Sequence, residues 1–95
     1  MTAYFIGEHE ITDPAGFDSY LRQAVPMIER HGGRYLTQPG KHRLLEGHWS
    51  PNRVVIVEFP DMKTLEAWYH APEYQKLIEL RRAAARDVMF AVEGR

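Results

Sequence analysis

The sequence predicts an α+β fold of the ferredoxin-like β-α-β-β-α-β type, an antiparallel sheet with helices on one side. Three observations carry that expectation. Two stretches of helical periodicity, beginning at Asp13-Pro14 and at Asp61, are each flanked by alternating or β-branched segments. His31-Gly32-Gly33-Arg34-Tyr35-Leu36 reads as the end of a helix, a glycine stop and the start of a strand. The resulting order repeats a β-α-β half twice, within a single domain over residues 1–95.

Taken in order, Ala3 to Ile11 is the first strand, with the β-formers Tyr4, Phe5 and Ile6. Asp13 is a good N-cap, and Pro14 suits a first helical position because its missing N–H would be unbonded there anyway. Phe17, Tyr20, Leu21, Ala24, Ile28 and His31 continue as a helical stripe, with Pro26 expected to bend it. Arg34 to Gln38 is the second strand, closed by Pro39-Gly40. Leu44 to Trp49 reads as an extended continuation or a short extra strand, and Ser50-Pro51-Asn52 as a turn. Arg53 to Phe59 is the clearest strand, ended by Pro60. Asp61 caps a second helix with Leu65, Trp68 and Tyr69 on its stripe. That helix breaks at Ala71-Pro72, resumes with Tyr74, Leu77, Ile78 and Arg81 on one face, and ends at Arg86-Asp87. Val88 to Val92 alternates as the last strand.

Composition narrows the function classes. The 95 residues are 44% hydrophobic and 26% charged with a formal net charge of -1, so no basic surface for nucleic acid or anionic membrane is expected. There is no cysteine, which removes disulfides, thiolate catalysis and cysteine-zinc sites. No apolar run approaches the roughly 20 residues of a membrane span, and the first residues are not a signal peptide; a cytoplasmic protein is expected. The five histidines show no metal-ligand spacing, so no metal and no cofactor are expected.

Assembly follows from the strands. In the 53–59 strand, Val55, Val57 and Phe59 share one face, and Val54, Ile56 and Glu58 the other. Both sides of the sheet are therefore apolar near the centre, and helices in this order cover only one of them. A four-stranded face of roughly 350 Å² remains. A homodimer joined through its sheet faces would cover it.

Several stretches carry a family resemblance. Ile11-Thr12-Asp13-Pro14, His31 to Leu36, Leu45-Glu46-Gly47, Val57-Glu58-Phe59-Pro60 and Ala67 to Gln75 resemble, in order and over nearly the whole chain, the domain of unknown function 1330 family. The resemblance implies a ferredoxin-like dimeric α/β barrel, two sheets closing around a shared interior. Related barrels include cofactor-free oxygenases, haem-degrading enzymes, lactone isomerases and ligand-binding modules. The haem-degrading enzymes combine an Asn, a Trp and a His; the only asparagine here, Asn52, is in a predicted turn.

The candidate site residues follow from chemistry. Arg34 opens a strand and needs a partner, either Glu46 or Glu58 in an ion pair or the carboxylate or phosphate of a ligand. Glu58, Glu46 and His31 are the candidate bases, against plain roles in salt bridges and, for His31, a helix C-terminal cap. Tyr20, Tyr35, Trp68, Tyr69 and Tyr74 would line a small-molecule pocket with Arg34 and Arg81, or simply form core. The function expected is binding of a small anionic or aromatic molecule between helices and sheet. The alternatives are a cofactor-independent oxygenase or isomerase, and a non-catalytic interaction module.

Overall fold

The computed structural model describes all 95 residues. Its strands are β1 (Ala3–Ile11), β2 (Arg34–Tyr35), β3 (Arg53–Phe59) and β4 (Ala85–Glu93), and its helices α1 (Pro14–Arg30), α2 (Met62–His70), α3 (Pro72–Gln75) and α4 (Ile78–Ala84). The sheet is antiparallel in the order β2-β3-β1-β4, the ferredoxin-like arrangement with β3 and β1 at the centre and β2 and β4 at the edges.

The predicted start signals act as expected. Asp13 accepts from the Gly16 amide and Asp61 from the Thr64 amide, with Pro14 at the first position of α1. At the far end of α1 the His31 ring nitrogen Nδ1 bonds the Met27 carbonyl, and Gly32 turns the chain at φ +85°. Gly33 then passes so near Ile28 that a Cβ would lie 2.4 Å from its Cγ2, which no side chain tolerates.

Three expectations need correction. β2 stops at Tyr35 rather than Gln38: Leu36 still donates to the Ile56 carbonyl, but the Ile56 amide turns to the Thr37 hydroxyl, and a side chain replaces the backbone ladder. Leu44 to Trp49 forms no strand; the segment is held by Trp49 Nε1 donating to Glu8 and by His42 against the Pro51 carbonyl. β4 begins at Ala85, because α4 ends where the Ala84 carbonyl accepts from Thr12 and Asp13, and the chain reverses there into the sheet.

Strand register sorts the two faces of the sheet. Beneath the helices lie the rows Ala91–Phe5–Val57, Met89–Gly7–Val55 and Asp87–His9–Arg53. The first two rows are mostly apolar and meet Phe17, Ala24, Ile28, Leu65, Trp68 and Tyr74 in the core. The third is entirely polar. On the opposite face, Phe90, Ile6 and Ile56 form a row across three strands, flanked by Val92–Tyr4–Glu58 and Val88–Glu8–Val54. No helix covers this face: Val88, Phe90 and Val92 are 58%, 46% and 44% exposed.

Candidate functional site

Two features stand out on the helix side of the sheet. The first is a buried polar chain built on the row Asp87–His9–Arg53. His9 Nδ1 donates to Asp87 Oδ1, and Arg81 Nε donates to Asp87 Oδ2 at 3.0 Å. Arg81 Nη1 reaches the Tyr74 hydroxyl at 2.7 Å, and Tyr74 meets the Tyr20 hydroxyl at 2.8 Å. The chain crosses from β1 and β4 through α4 and α3 to α1, and His9 and Arg81 are 3% and 4% exposed. Gly7 makes room for it, since a Cβ there would stand 2.9 Å from His9 Nε2.

Burial and neighbours shape its protonation. Burial, reinforced by Tyr74, pushes the Tyr20 hydroxyl far above the ordinary tyrosine range, and burial raises Tyr74 as well. Burial opposes the charge on Arg81, but Tyr74, Tyr20 and Asp87 outweigh it and hold the guanidinium charged. The linkage has a definite sign. The unfolded phenols ionise near pH 10, whereas the folded ones keep their protons, so this stability is complete below about pH 10 and is lost as pH climbs toward the raised folded values. Each withheld proton adds a slope of about 1.4 kcal/mol per pH unit. Urea unfolding between pH 9 and pH 11.5 is therefore expected to show a steep alkaline loss, and Tyr20→Phe a shallower one by about one proton.

The second feature is a cleft of about 180 Å³ between α2 and β4. Phe5, Leu65, Trp68, Tyr69, Met89, Phe90 and Ala91 form its apolar walls, and Glu66 and His70 its polar ones. It exists because β4 runs past the cover of the helices: Ala91 is on the helix side of the sheet yet exposed. Trp68 anchors the inner wall, fully buried among Phe5, Phe59 and Tyr74, with Nε1 unbonded.

The sequence candidates divide between these places. Tyr20, Tyr74 and Arg81 belong to the buried chain. Trp68 and Tyr69 line the cleft, and Tyr74 touches both through ring contacts with Trp68 and Tyr69. Tyr35 is half-buried beside Arg53. Arg34 is exposed and pairs with Glu58 at 3.0 Å, Glu46 is exposed in the 36–52 segment, and His31 is bonded to its own helix. None of these last four lines the cleft.

His9, Asp87 and Arg53 were not among the sequence candidates. The signal was available in the alternation of the strands. His9 shares parity with Phe5, and Arg53 with Val55, Val57 and Phe59, so each polar side chain had to enter the covered face. Asp87, one residue before the predicted strand, shares the parity of Met89.

Comparison with known proteins bears on the family and the fold. The family model described as "Domain of unknown function (DUF1330)" matches residues 2–95. No curated protein matches the chain. Among solved structures, RPA0582 of Rhodopseudomonas palustris, a protein of unknown function, is similar at 19% identity and a TM-score of 0.80, covering 99% of this chain and 82% of that one. SnoaB of Streptomyces nogalater, a cofactor-independent oxygenase, is similar at 19% identity and a TM-score of 0.71, covering 99% and 93%. A dimeric ferredoxin-like protein of unknown function from Jannaschia sp. CCS1 is similar at 14% identity and a TM-score of 0.69, covering 99% and 100%. At these identities the likeness carries the fold.

Proposed function

We propose, for a chain that belongs to the DUF1330 family of domains of unknown function, that it works as a homodimer binding a small, neutral aromatic molecule in the cleft between α2 and β4. The observation that carries the ligand class is the cleft wall, where Phe5, Trp68 and Tyr69 meet around a space suited to a single substituted ring. Glu66 disfavours an anion there and offers an acceptor to a phenolic hydroxyl. Support for the dimer comes from the uncovered row Phe90–Ile6–Ile56 and from the dimeric ferredoxin-like protein of Jannaschia, whose fold this chain shares.

p-Cresol serves as the probe. Titrated into the isotope-labelled protein, it is expected to shift the amides of Leu65, Trp68, Met89 and Ala91 saturably. Ala91→Phe, which fills the cleft from an exposed position, is expected to weaken this at least tenfold while leaving the melting temperature nearly unchanged. Absence of saturable shifts, or equal binding in Ala91→Phe, would overturn the assignment.

Oxygen chemistry is the alternative, favoured by the fold shared with SnoaB. A cofactor-independent oxygenase must draw a proton from its substrate, and Glu66 and His70 are the polar groups on the cleft wall able to take it. Oxygen uptake with a panel of polyphenols, lost in Glu66→Gln or His70→Gln, would establish it. Binding without turnover across that panel leaves the protein a carrier.

A further inference from the structure

Apart from Met1, every large apolar side chain that the subunit exposes belongs to one of two places. Val88, Phe90 and Val92 lie on the open face of the sheet. Leu36, Leu44, Leu45 and Trp49 belong to the segment 36–52, where Leu45 is 90% exposed. The two places adjoin. The Leu36 amide donates to the Ile56 carbonyl beside the row Phe90–Ile6–Ile56, and Trp49 Nε1 donates to Glu8 in the flanking row.

The segment is long for a connection without helix or strand, and ordered connections of that length usually carry function. Its roots are fixed. The Ile56 amide donates to the Thr37 hydroxyl, His42 Nε2 bonds the Pro51 carbonyl, and Asn52 bonds the backbone of both His9 and Ile11. The rings of His42 and Trp49 meet edge-on at 5.4 Å and close the base of the loop between them. Beyond that base, residues 43–48 form no hydrogen bond or ion pair with the rest of the chain. Gly47 turns there at φ +91°, and a Cβ on it would meet nothing within 4 Å. Leu44 and Leu45 are thus carried on a tip that their own subunit leaves bare.

Area decides what covers the tip. Two open faces of roughly 350 Å² each remove about 700 Å² on pairing, whereas a stable specific interface buries about 1,200–2,000 Å². The shortfall is at least about 250 Å² per subunit. With about 800 Å² spread over about 20–30 residues a side, that corresponds to about six to nine residues, the length of the tip. We infer that residues 43–48 form an arm that completes the homodimer, with Leu44 and Leu45 packed on the second copy of this chain. Such an arm presupposes the homodimer proposed above and adds to its sheet faces the area they lack. Its closed base holds it in shape before the subunits meet, so little freedom is lost on pairing.

Two measurements on the full-length protein test the arm. In a sample that mixes isotope-labelled with unlabelled subunits, isotope-filtered NOE spectra are expected to show cross-peaks from the Leu44 and Leu45 methyls to protons of the other subunit. In sedimentation equilibrium, the double change Leu44→Ser with Leu45→Ser is expected to weaken the dimer at least about 100-fold. Both side chains are exposed in the single subunit, so its secondary structure should be unchanged in that variant. Suppose the wild type is dimeric at micromolar concentration but shows no such cross-peaks, or the double variant pairs as tightly. Either result overturns the arm and leaves the pairing of the sheets standing. A monomeric wild type overturns the dimer itself, and the arm with it.

Discussion

Asp87→Ala is expected to cost about 3–5 kcal/mol of folding stability, because it strands two buried groups at once. Asp87 is the carboxylate shared by His9 and Arg81, whose side chains are 4% and 5% exposed. Neither has another acid to turn to, and Arg81 would remain charged against Tyr74 alone. For a domain of this size such a loss lowers the melting temperature by roughly 12 °C or more. Asp87→Asn keeps the shape and some hydrogen bonding, and should cost less. The double variant Arg81→Met with Asp87→Leu should cost less than the sum of its single changes, since the charges leave together. Urea unfolding of the wild type, these variants and the single changes Arg81→Met and Asp87→Leu measures this directly, and a cost below about 1 kcal/mol for Asp87→Ala would show that the network does not hold the helices to the sheet.

Ile6→Lys is expected to abolish the proposed dimer. Ile6 lies at the middle of the outer face, directly opposite Ile56 on one side and Phe90 on the other. Two lysines brought together across a twofold axis would place like charges in a desolvated seam, and at least a 100-fold weakening is expected, about 2.7 kcal/mol. The helix-side core is untouched, so the variant should retain its secondary structure. Sedimentation equilibrium at micromolar concentration distinguishes the species: wild type as a dimer, Ile6→Lys as a monomer. A monomeric wild type would overturn the proposed pairing of the sheets.

Much of the architecture was legible because its signals are local. Asp13-Pro14, Asp61 and Gly32 each set a boundary through their own backbone chemistry. The extent of β2 was not, because Thr37 diverts a ladder bond onto its hydroxyl, a choice that depends on Ile56 some twenty residues away. The site was half legible for a related reason. Helical spacing identified Tyr20, Tyr74 and Arg81, but what they converge on is Asp87, and that pairing depends on register between β1 and β4. Arg34 drew attention as an arginine at a strand start, while Arg53, in the same kind of position, is the one without an acid. The difference lies in parity: Arg34 points to the open face, where Glu58 meets it, and Arg53 to the covered one.

The outer margin of β4 bears on how the protein can fail. Over nine residues β4 bonds β1 alone, so its other side presents a ladder of free amides and carbonyls beside Val88, Phe90 and Val92. Charged residues stand at its two ends, Arg86-Asp87 and Glu93, with none between. A lone subunit therefore carries both a greasy plane and a template for strand addition. Its characteristic route to loss would be growth into β-rich aggregates rather than simple unfolding.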